Sequence, residues 1–145
     1  MDYQLTVTDA MTQDEQKAIE APLIAYNIAT FGKSDKRDLA IPLRDAAGAV
    51  EGGLVGYTAR GWLYVQLLFI PETARGQGLA PRLLQMAEDE ARRRGCIGAY
   101  LDTMNPEALK IYQRCGYAII GQHGPLTGGV TITWLNKHFE TGGAA

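Results

Sequence analysis

The sequence predicts a mixed α/β fold, with antiparallel strands first and a β-α-β crossover afterwards. Residues 50–70 form two strand-like runs separated by a turn at Gly61. After them, apolar residues recur at helical spacing: Leu79, Leu83, Leu84, Ala87 and Ala91. A further strand-like run follows at 98–103. With the flanking elements, we expect a sheet of about six to seven strands flanked by about four helices.

The first segment of the chain predicts a strand followed by a helix. Residues 3–8 alternate between apolar and polar side chains, which is typical of a half-buried strand. Thr12 and Glu15 have the spacing of a capping box, so a helix should run from about residue 13 towards residue 31. Pro22 lies inside this helix, and we expect it to cause a kink or to divide the helix into two.

The middle of the chain predicts three strands. Residues 39–43 look extended, and Pro42 places them at an edge or in an irregular strand. Residues 50–60 form a glycine-rich strand, and residues 62–70 form the strongest strand of the chain. Its alternation breaks at 67–70, where four apolar residues follow one another. This predicts either a strand buried on both faces or a bulge that exchanges the faces.

Two helices and a strand pair complete the predicted fold. The helix after residue 78 should end at the basic residues 92–94, with Gly95 as its cap. Asn105 is a good N-cap for a second helix that Gly116 closes. Residues 117–121 and 130–135 predict the last strands. We expect one domain over residues 1–140 and a disordered tail at 141–145.

Composition and charge exclude several function classes. The chain has 145 residues, of which 46% are hydrophobic and 21% charged, as in soluble globular domains. A net charge of −2 gives no basic surface for nucleic acid. The longest apolar run, 67–70, is too short to span a membrane, and the acidic N-terminus is unlike a signal peptide. We therefore expect a cytoplasmic protein that binds neither nucleic acid nor membrane.

The cysteines and histidines do not predict a metal site. Cys96 and Cys115 lack the spacing of metal ligands, and both histidines are distant from them in sequence. We expect free, mostly buried thiols in a reducing compartment and no bound metal.

A glycine-rich turn between a strand and a helix predicts a phosphate site. Arg75-Gly76-Gln77-Gly78 precedes the helix that begins near Leu79. The unpaired N–H groups at the start of this helix and the positive charge of Arg75 favour binding of a phosphate or pyrophosphate. Pro81 occupies the position of the third glycine of a dinucleotide fingerprint, and the chain has no Walker motif. What remains is the pattern R-x-x-G-x-A, formed by Arg75, Gly78 and Ala80.

A second motif follows one helix and one strand later. Within residues 105–117, a pattern N-x-x-A-x-x-x-Y-x-x-x-G-Y is formed by Asn105, Ala108, Tyr112, Gly116 and Tyr117. Together, the two motifs and the order of elements resemble the GNAT superfamily of N-acetyltransferases, whose acyl-CoA loop reads Gln/Arg-x-x-Gly-x-Gly/Ala. The resemblance extends over nearly the whole chain and implies a GNAT-like sheet with splayed central strands.

The resemblance also implies the chemistry and its residues. The expected activity is transfer of an acetyl group from acetyl-CoA directly to a primary amine of a small molecule. Tyr112 would be the general acid that protonates the CoA thiolate. Backbone N–H groups would stabilise the tetrahedral intermediate. The residues expected to bind acetyl-CoA are Leu68, Phe69, Ile70, Arg75, Gly76, Gln77, Gly78, Leu79, Ala80 and Asn105. Pro81 is expected to remove one phosphate contact.

The general base and the acceptor stay open at this point. Some family members have a Glu where this chain has Tyr100, which leaves three carboxylates, Asp102, Glu72 and Glu51, or an ordered water. The acceptor site is expected to include residues from the early helix and the neighbouring strands: Tyr26, Asn27, Tyr57 and Tyr64. The modest acidity of the chain favours a cationic small molecule.

Two alternative functions fit the same residues. One is acetylation of a protein or peptide, which needs an open groove beside the thioester. The other is a non-catalytic acyl-CoA-binding module, although the presence of both Asn105 and Tyr112 favours an enzyme. Residues 130–135 could pair with a second copy in a homodimer or form an edge strand of the monomer.

Overall fold

The computed structural model describes residues 1–140, which divide into two compact units between Ser34 and Asp35. The first unit contains helix α1, Gln13–Phe31. The second contains all the strands and two further helices. The predicted tail at 141–145 lies outside the described residues, and the single domain over 1–140 stays a prediction.

Helix α1 begins where its capping box predicts. The Glu15 backbone N–H donates to the Thr12 hydroxyl at 3.1 Å, and the Thr12 N–H donates to the Glu15 carboxylate at 2.9 Å. Two expectations for this unit were wrong. Residues 3–8 form no strand, because alternation places side chains on one face but supplies no neighbouring strand for the backbone. Pro22 does not divide the helix, because it removes only one backbone hydrogen bond, and the alternative of a kink at Pro22 stays a prediction.

The second unit is a mixed six-stranded sheet with two helices. Its elements are β1 (Arg37–Arg44), β2 (Val50–Ala59), β3 (Trp62–Phe69), α2 (Leu79–Arg93), β4 (Gly98–Thr103), α3 (Pro106–Arg114), β5 (Ala118–His123) and β6 (Ile132–His138). The strand order is β1-β2-β3-β4-β6-β5, and only β3 and β4 pair in parallel. The predicted fold class is confirmed, although residues 1–140 contain three α-helices and one 3₁₀ turn instead of about four helices.

A bulge in β3 explains the break in its alternation. Val65 pairs with Gly56 on β2 and Leu67 pairs with Val55, so Gln66 between them has no partner. Before the bulge, Leu63 and Val65 face the core; after it, the side chains packed against the core are Leu68 and Ile70. Of the two alternatives that the sequence offered, the bulge that exchanges the faces is the one that forms.

Strands β3 and β4 splay apart beyond the bulge. Their parallel pairing ends at Val65 and Leu101. Further along, residues 67–69 pair only with β2, while Asp102 and Thr103 pair only with β6. The edge of β3 that faces β4 therefore carries backbone groups without a strand partner, and such groups need another hydrogen-bonding partner. The splayed central strands are confirmed.

The last strand is not an edge of the sheet. Strand β6 pairs with β4 on one side and with β5 on the other. The interpretation of residues 130–135 as an edge strand was therefore wrong, and a homodimer stays a prediction. The two edges of this sheet are β1 and β5. The alternating pattern of residues 130–135 could not predict this strand order, because β5 precedes β6 in the chain but lies beyond β6 at the edge of the sheet.

A buried ionic cluster joins α2 to β6 and to the end of α3. The Glu88 side chain is almost completely buried, at 1% exposure. Its carboxylate accepts from Lys137 Nζ at 2.8 Å and from the Tyr117 hydroxyl at 2.9 Å. Lys137 also donates to the Cys115 carbonyl at 2.9 Å. Burial, the charge of Glu88 and the hydrogen bond from Tyr117 to Glu88 all raise the pKa of Tyr117. The phenol therefore stays protonated and can donate.

Replacing Glu88 by Ala should lower the free energy of unfolding by about 3 kcal/mol, because it leaves Lys137 and Tyr117 without their partner. Chemical denaturation measures the change. The matched control is Lys110→Ala, which breaks an exposed pair with Glu107 and should cost less than about 1 kcal/mol. Equal losses in the two variants would contradict the role given to the buried cluster.

No helix in the described part of the chain is long and apolar enough to cross a membrane. Residues 1–140 also contain no group of three or more His, Cys, Asp or Glu side chains arranged to hold a metal ion.

Candidate active site

A cleft of about 590 Å³ opens where the end of β3, the glycine-rich turn and α3 meet. The strand, the turn and the start of α2 contribute Leu68, Phe69, Ile70, Ala74, Arg75, Gly76, Gly78, Leu79, Ala80 and Pro81. Helix α3 and its cap contribute Asn105, Glu107, Ala108, Ile111, Tyr112, Arg114 and Cys115. Its wall therefore combines the splayed strand, a helix N-terminus and one face of a second helix.

The glycine-rich turn presents backbone N–H groups to the cleft. Gly76 and Gly78 have φ angles of 80° and 72°, a region that L side chains rarely adopt. A Cβ at either position would meet no heavy atom within 4 Å, so the backbone angle, not crowding, requires glycine. Helix α2 begins at Leu79, and its first-turn N–H groups lack intrahelical partners. This arrangement suits an anion.

Pro81 changes the first turn of α2. It has no N–H, and the Arg82 N–H already donates to the Gly78 carbonyl at 3.2 Å. The donors left at this helix start are therefore the N–H groups of Gly78, Leu79 and Ala80. The loss of one phosphate contact at Pro81 stays a prediction.

Arg75 connects the turn to the end of β3. Its Nε donates to the Ile70 carbonyl at 3.0 Å, which closes the loop between the strand and α2. Arg75 is exposed and lines the cleft, so its guanidinium adds a positive charge beside the turn. A guanidinium fork matches the geometry of phosphate oxygens.

Tyr112 is a buried side chain on the cleft wall. Its residue is 6% exposed, and burial raises the pKa of its phenol, with smaller contributions from Cys115 and Asp102. Within residues 1–140 the Tyr112 hydroxyl has no hydrogen-bond partner. Every fully buried side-chain oxygen in these residues does have a partner, so the Tyr112 oxygen is not fully buried. The Tyr112 oxygen must therefore open to the cleft. It is a protonated donor at neutral pH, and nothing in the described part of the chain accepts its hydrogen bond.

Two further polar groups of the cleft wall, Asn105 and Cys115, cap the two ends of α3. The Asn105 side chain accepts from the Glu107 N–H at 2.9 Å, so it caps the helix as its sequence position predicts. Burial, followed by the charge of Glu88, raises the pKa of the Cys115 thiol. Because the thiolate is the nucleophilic form, Cys115 is a weak nucleophile at neutral pH.

The cleft brings together all the predicted site residues except Gln77, which is exposed and not part of its wall. Several lining residues were not predicted: Ala74, Glu107, Ile111, Arg114 and Cys115. The helical spacing of Ala108, Ile111, Tyr112 and Cys115 could have indicated the α3 face. Nothing in the sequence pattern distinguishes Arg114 from an ordinary basic residue at a helix end.

The residues considered for the general base and for the acceptor site lie in different parts of the structure. Glu51 and Glu72 are exposed and do not line the cleft. Tyr26 and Asn27 lie on α1, in the first unit. Tyr64, Tyr100 and Asp102 come together on the sheet, where the Tyr64 hydroxyl donates to Asp102 Oδ1 at 2.9 Å. Burial, followed by this hydrogen bond, raises the pKa of Tyr64 to about 12.

Comparison with known proteins gives a consistent result. The model of the acetyltransferase (GNAT) family matches residues 9–117. An acetyltransferase of Agrobacterium fabrum is 62% identical over 133 residues, which cover 92% of this chain and 97% of that protein. A crystal structure of an Agrobacterium tumefaciens protein described as an acetyltransferase superposes with a TM-score of 0.91 at 60% identity, covering 94% of this chain and all of that one.

A more distant relative has a named substrate. The blasticidin-S acetyltransferase of Streptomyces morookaense is 41% identical over 91 residues, which cover 62% of this chain and 67% of that protein.

Proposed function

This chain belongs to the GNAT acetyltransferase family, and we propose that it transfers the acetyl group of acetyl-CoA directly to a primary amine of a small molecule. One observation carries the proposal: the cleft joins the edge of β3 that β4 leaves free, a glycine-rich turn at a helix N-terminus and a tyrosine hydroxyl that has no partner within residues 1–140. Each of these serves one requirement of acetyl transfer from a thioester.

The residues of the cleft fit an acyl-CoA donor. The pyrophosphate would accept hydrogen bonds from the Leu79 and Ala80 N–H groups and from Arg75. On the edge of β3 that β4 leaves free, the backbone of Leu68, Phe69 and Ile70, apart from the Ile70 carbonyl that Arg75 already contacts, would hold the pantetheine arm as a strand holds its neighbour. Backbone N–H groups fixed in this way can stabilise negative charge on the thioester oxygen, because they need no reorganisation during the reaction.

Tyr112 would act as the general acid. Its raised pKa keeps the phenol protonated, and its hydroxyl opens to the same cleft as the β3 edge. The thiolate leaving group of CoA would take this proton. A positioned acid of this kind contributes about 100- to 10,000-fold to a rate.

The transfer would proceed without an acyl-enzyme. Cys115 is the cysteine that lines the cleft, and its raised thiol pKa disfavours the thiolate. The two histidines, His123 and His138, do not line the cleft, so they do not supply a base for this thiol. The amine of the acceptor is then the direct nucleophile.

A small-molecule acceptor is supported by the relative that acetylates blasticidin S. The test begins with thermal unfolding of the full chain with and without acetyl-CoA. At about 100 times its dissociation constant, a ligand that binds only the folded state adds about 2.7 kcal/mol. We therefore expect the midpoint to rise by several degrees. Release of CoA is then measured across a panel of small primary amines, and at least one should be acetylated.

The outcomes separate the alternatives. A rise in the midpoint with one or more active amines supports the proposal. A rise without any active amine would contradict a small-molecule acceptor and favour a protein substrate or a binding module. No rise at saturating acetyl-CoA would contradict the acyl-CoA site itself.

A further inference from the structure

A cluster of aromatic side chains lies on the sheet face opposite α2. Leu63 and Ala99 face the core, so the alternating neighbours Tyr64 and Tyr100 face the other way. Their rings stack with centroids 4.8 Å apart. Tyr57 meets Tyr64 edge-on at 5.6 Å, and Trp134 stacks on Tyr64 at 6.4 Å. We call Tyr57, Tyr64, Tyr100 and Trp134 the aromatic face; all are half-buried.

Asp102 is a half-buried carboxylate beside this aromatic face. It follows Tyr100 by two residues on β4 and therefore shares its side of the strand. Its Oδ1 accepts from the Tyr64 hydroxyl, and within residues 1–140 it has no ion pair and no second donor. A half-buried carboxylate with one neutral partner still has unmet capacity to accept hydrogen bonds. A cation is the complementary group.

The position of Asp102 connects this face to the cleft. It is the first residue of β4 beyond the last pair with β3, so it lies where the two strands diverge. The same divergence frees the β3 edge that lines the cleft. The charge of Asp102 also makes a small contribution to the raised pKa of Tyr112, which indicates that the carboxylate acts on the proposed acid.

The aromatic face already attracts a cation at one end. Lys36 Nζ lies over the Tyr57 ring, 4.4 Å from its centroid. Ammonium groups are attracted to the faces of Tyr and Trp rings within about 6 Å. Tyr64 stacks on Tyr100 and on Trp134, and Asp102 adds a negative charge beside these rings.

We propose that Asp102 and the aromatic face form the acceptor site, and that they bind one ammonium group of a cationic diamine or polyamine while a second amine of the same molecule, unprotonated, is the nucleophile. The inference rests on the proposed function and makes it more specific. Asp102 would accept hydrogen bonds from the ammonium, the Tyr64 hydroxyl would hold the carboxylate in place, and the rings would surround the methylene chain. An uncharged analogue of the same length would lack the attraction of an ammonium both to the Asp102 carboxylate and to the aromatic rings.

The test uses direct binding, without turnover. The full-length protein, labelled with ¹⁵N, is titrated with 1,4-diaminobutane and, separately, with 1,4-butanediol as the uncharged analogue. The chain has two tryptophans, whose indole N–H signals report locally. Trp134→Phe assigns the signal of the aromatic face. We expect the Trp134 signal to shift in a saturable manner with the diamine and not with the diol.

Two variants locate the site. Asp102→Asn should weaken diamine binding by about tenfold or more, because it removes the charge while keeping the size of the side chain. Asp38→Asn is the matched control, since Asp38 is an exposed carboxylate on β1 of the same sheet, and it should bind like the parent protein. Unfolding midpoints of both variants confirm that they are folded. If Asp102→Asn does not fold, Tyr64→Phe replaces it and should also weaken binding.

The failure of this inference is distinguishable from that of the proposed function. No saturable shift with diamine, or equal binding by Asp102→Asn and the parent, would overturn the acceptor site. Neither result affects the acetyl-CoA-induced rise in unfolding midpoint, which tests the donor site separately.

Discussion

Replacement of Tyr112 by Phe is expected to lower turnover by about 100- to 10,000-fold while acetyl-CoA affinity stays unchanged. The ring, which packs in the core, is retained, and only the hydroxyl that opens to the cleft is lost. Because that hydroxyl makes no hydrogen bond within residues 1–140, its removal leaves no protein group unpaired. Stability should therefore change little. The measurements are CoA release at saturating substrates and titration with acetyl-CoA.

The chain offers a matched control for this variant. Tyr117→Phe removes a hydroxyl five residues further along, but that hydroxyl donates to the buried Glu88 and does not line the cleft. We expect a loss of about 1–2 kcal/mol in the free energy of unfolding and near-normal turnover. If Tyr112→Phe turns over like the parent, the acid is another group. If both variants lose turnover equally, the effect is structural.

Replacement of Gly78 by Val is expected to abolish measurable acetyl-CoA binding while the protein stays folded. Gly78 caps α2 with φ at 72°, where a branched side chain costs on the order of 1–2 kcal/mol. The new side chain would meet no protein atom within 4 Å of its Cβ, and Gly78 lines the cleft. It would therefore occupy the space beside the Leu79 and Ala80 N–H groups that a pyrophosphate needs.

Gly95→Val separates backbone strain from loss of the site. Gly95 follows the other end of α2, has φ at 86° and also has open space around its Cβ position, but it does not line the cleft. It should lose similar stability and keep its acetyl-CoA affinity, as measured by calorimetric titration. Unchanged affinity in Gly78→Val would contradict the assignment of the turn as the pyrophosphate site.

Local signals in the sequence determined much of the second unit and the ends of the helices. The capping residues Thr12 and Asn105 and the terminator Gly95 act within one helical turn, so their roles can be read from neighbouring residues. The glycines of the turn at 76–78 carry the same kind of information, because a positive φ is a property of one residue. The family resemblance then joined these local signals into a candidate site.

Tertiary structure decided which elements become neighbours. Alternation at residues 3–8 predicted a strand that has no partner, and residues 130–135 predicted an edge strand that lies inside the sheet. The Tyr64–Asp102 hydrogen bond joins residues on two strands that an α-helix separates in sequence. Periodicity reports which side chains share a face of one element, but strand order depends on long-range pairing. Most residues of the proposed donor cleft could thus be named from the sequence and the family resemblance, whereas the proposed acceptor site depends on a contact that only the folded sheet creates.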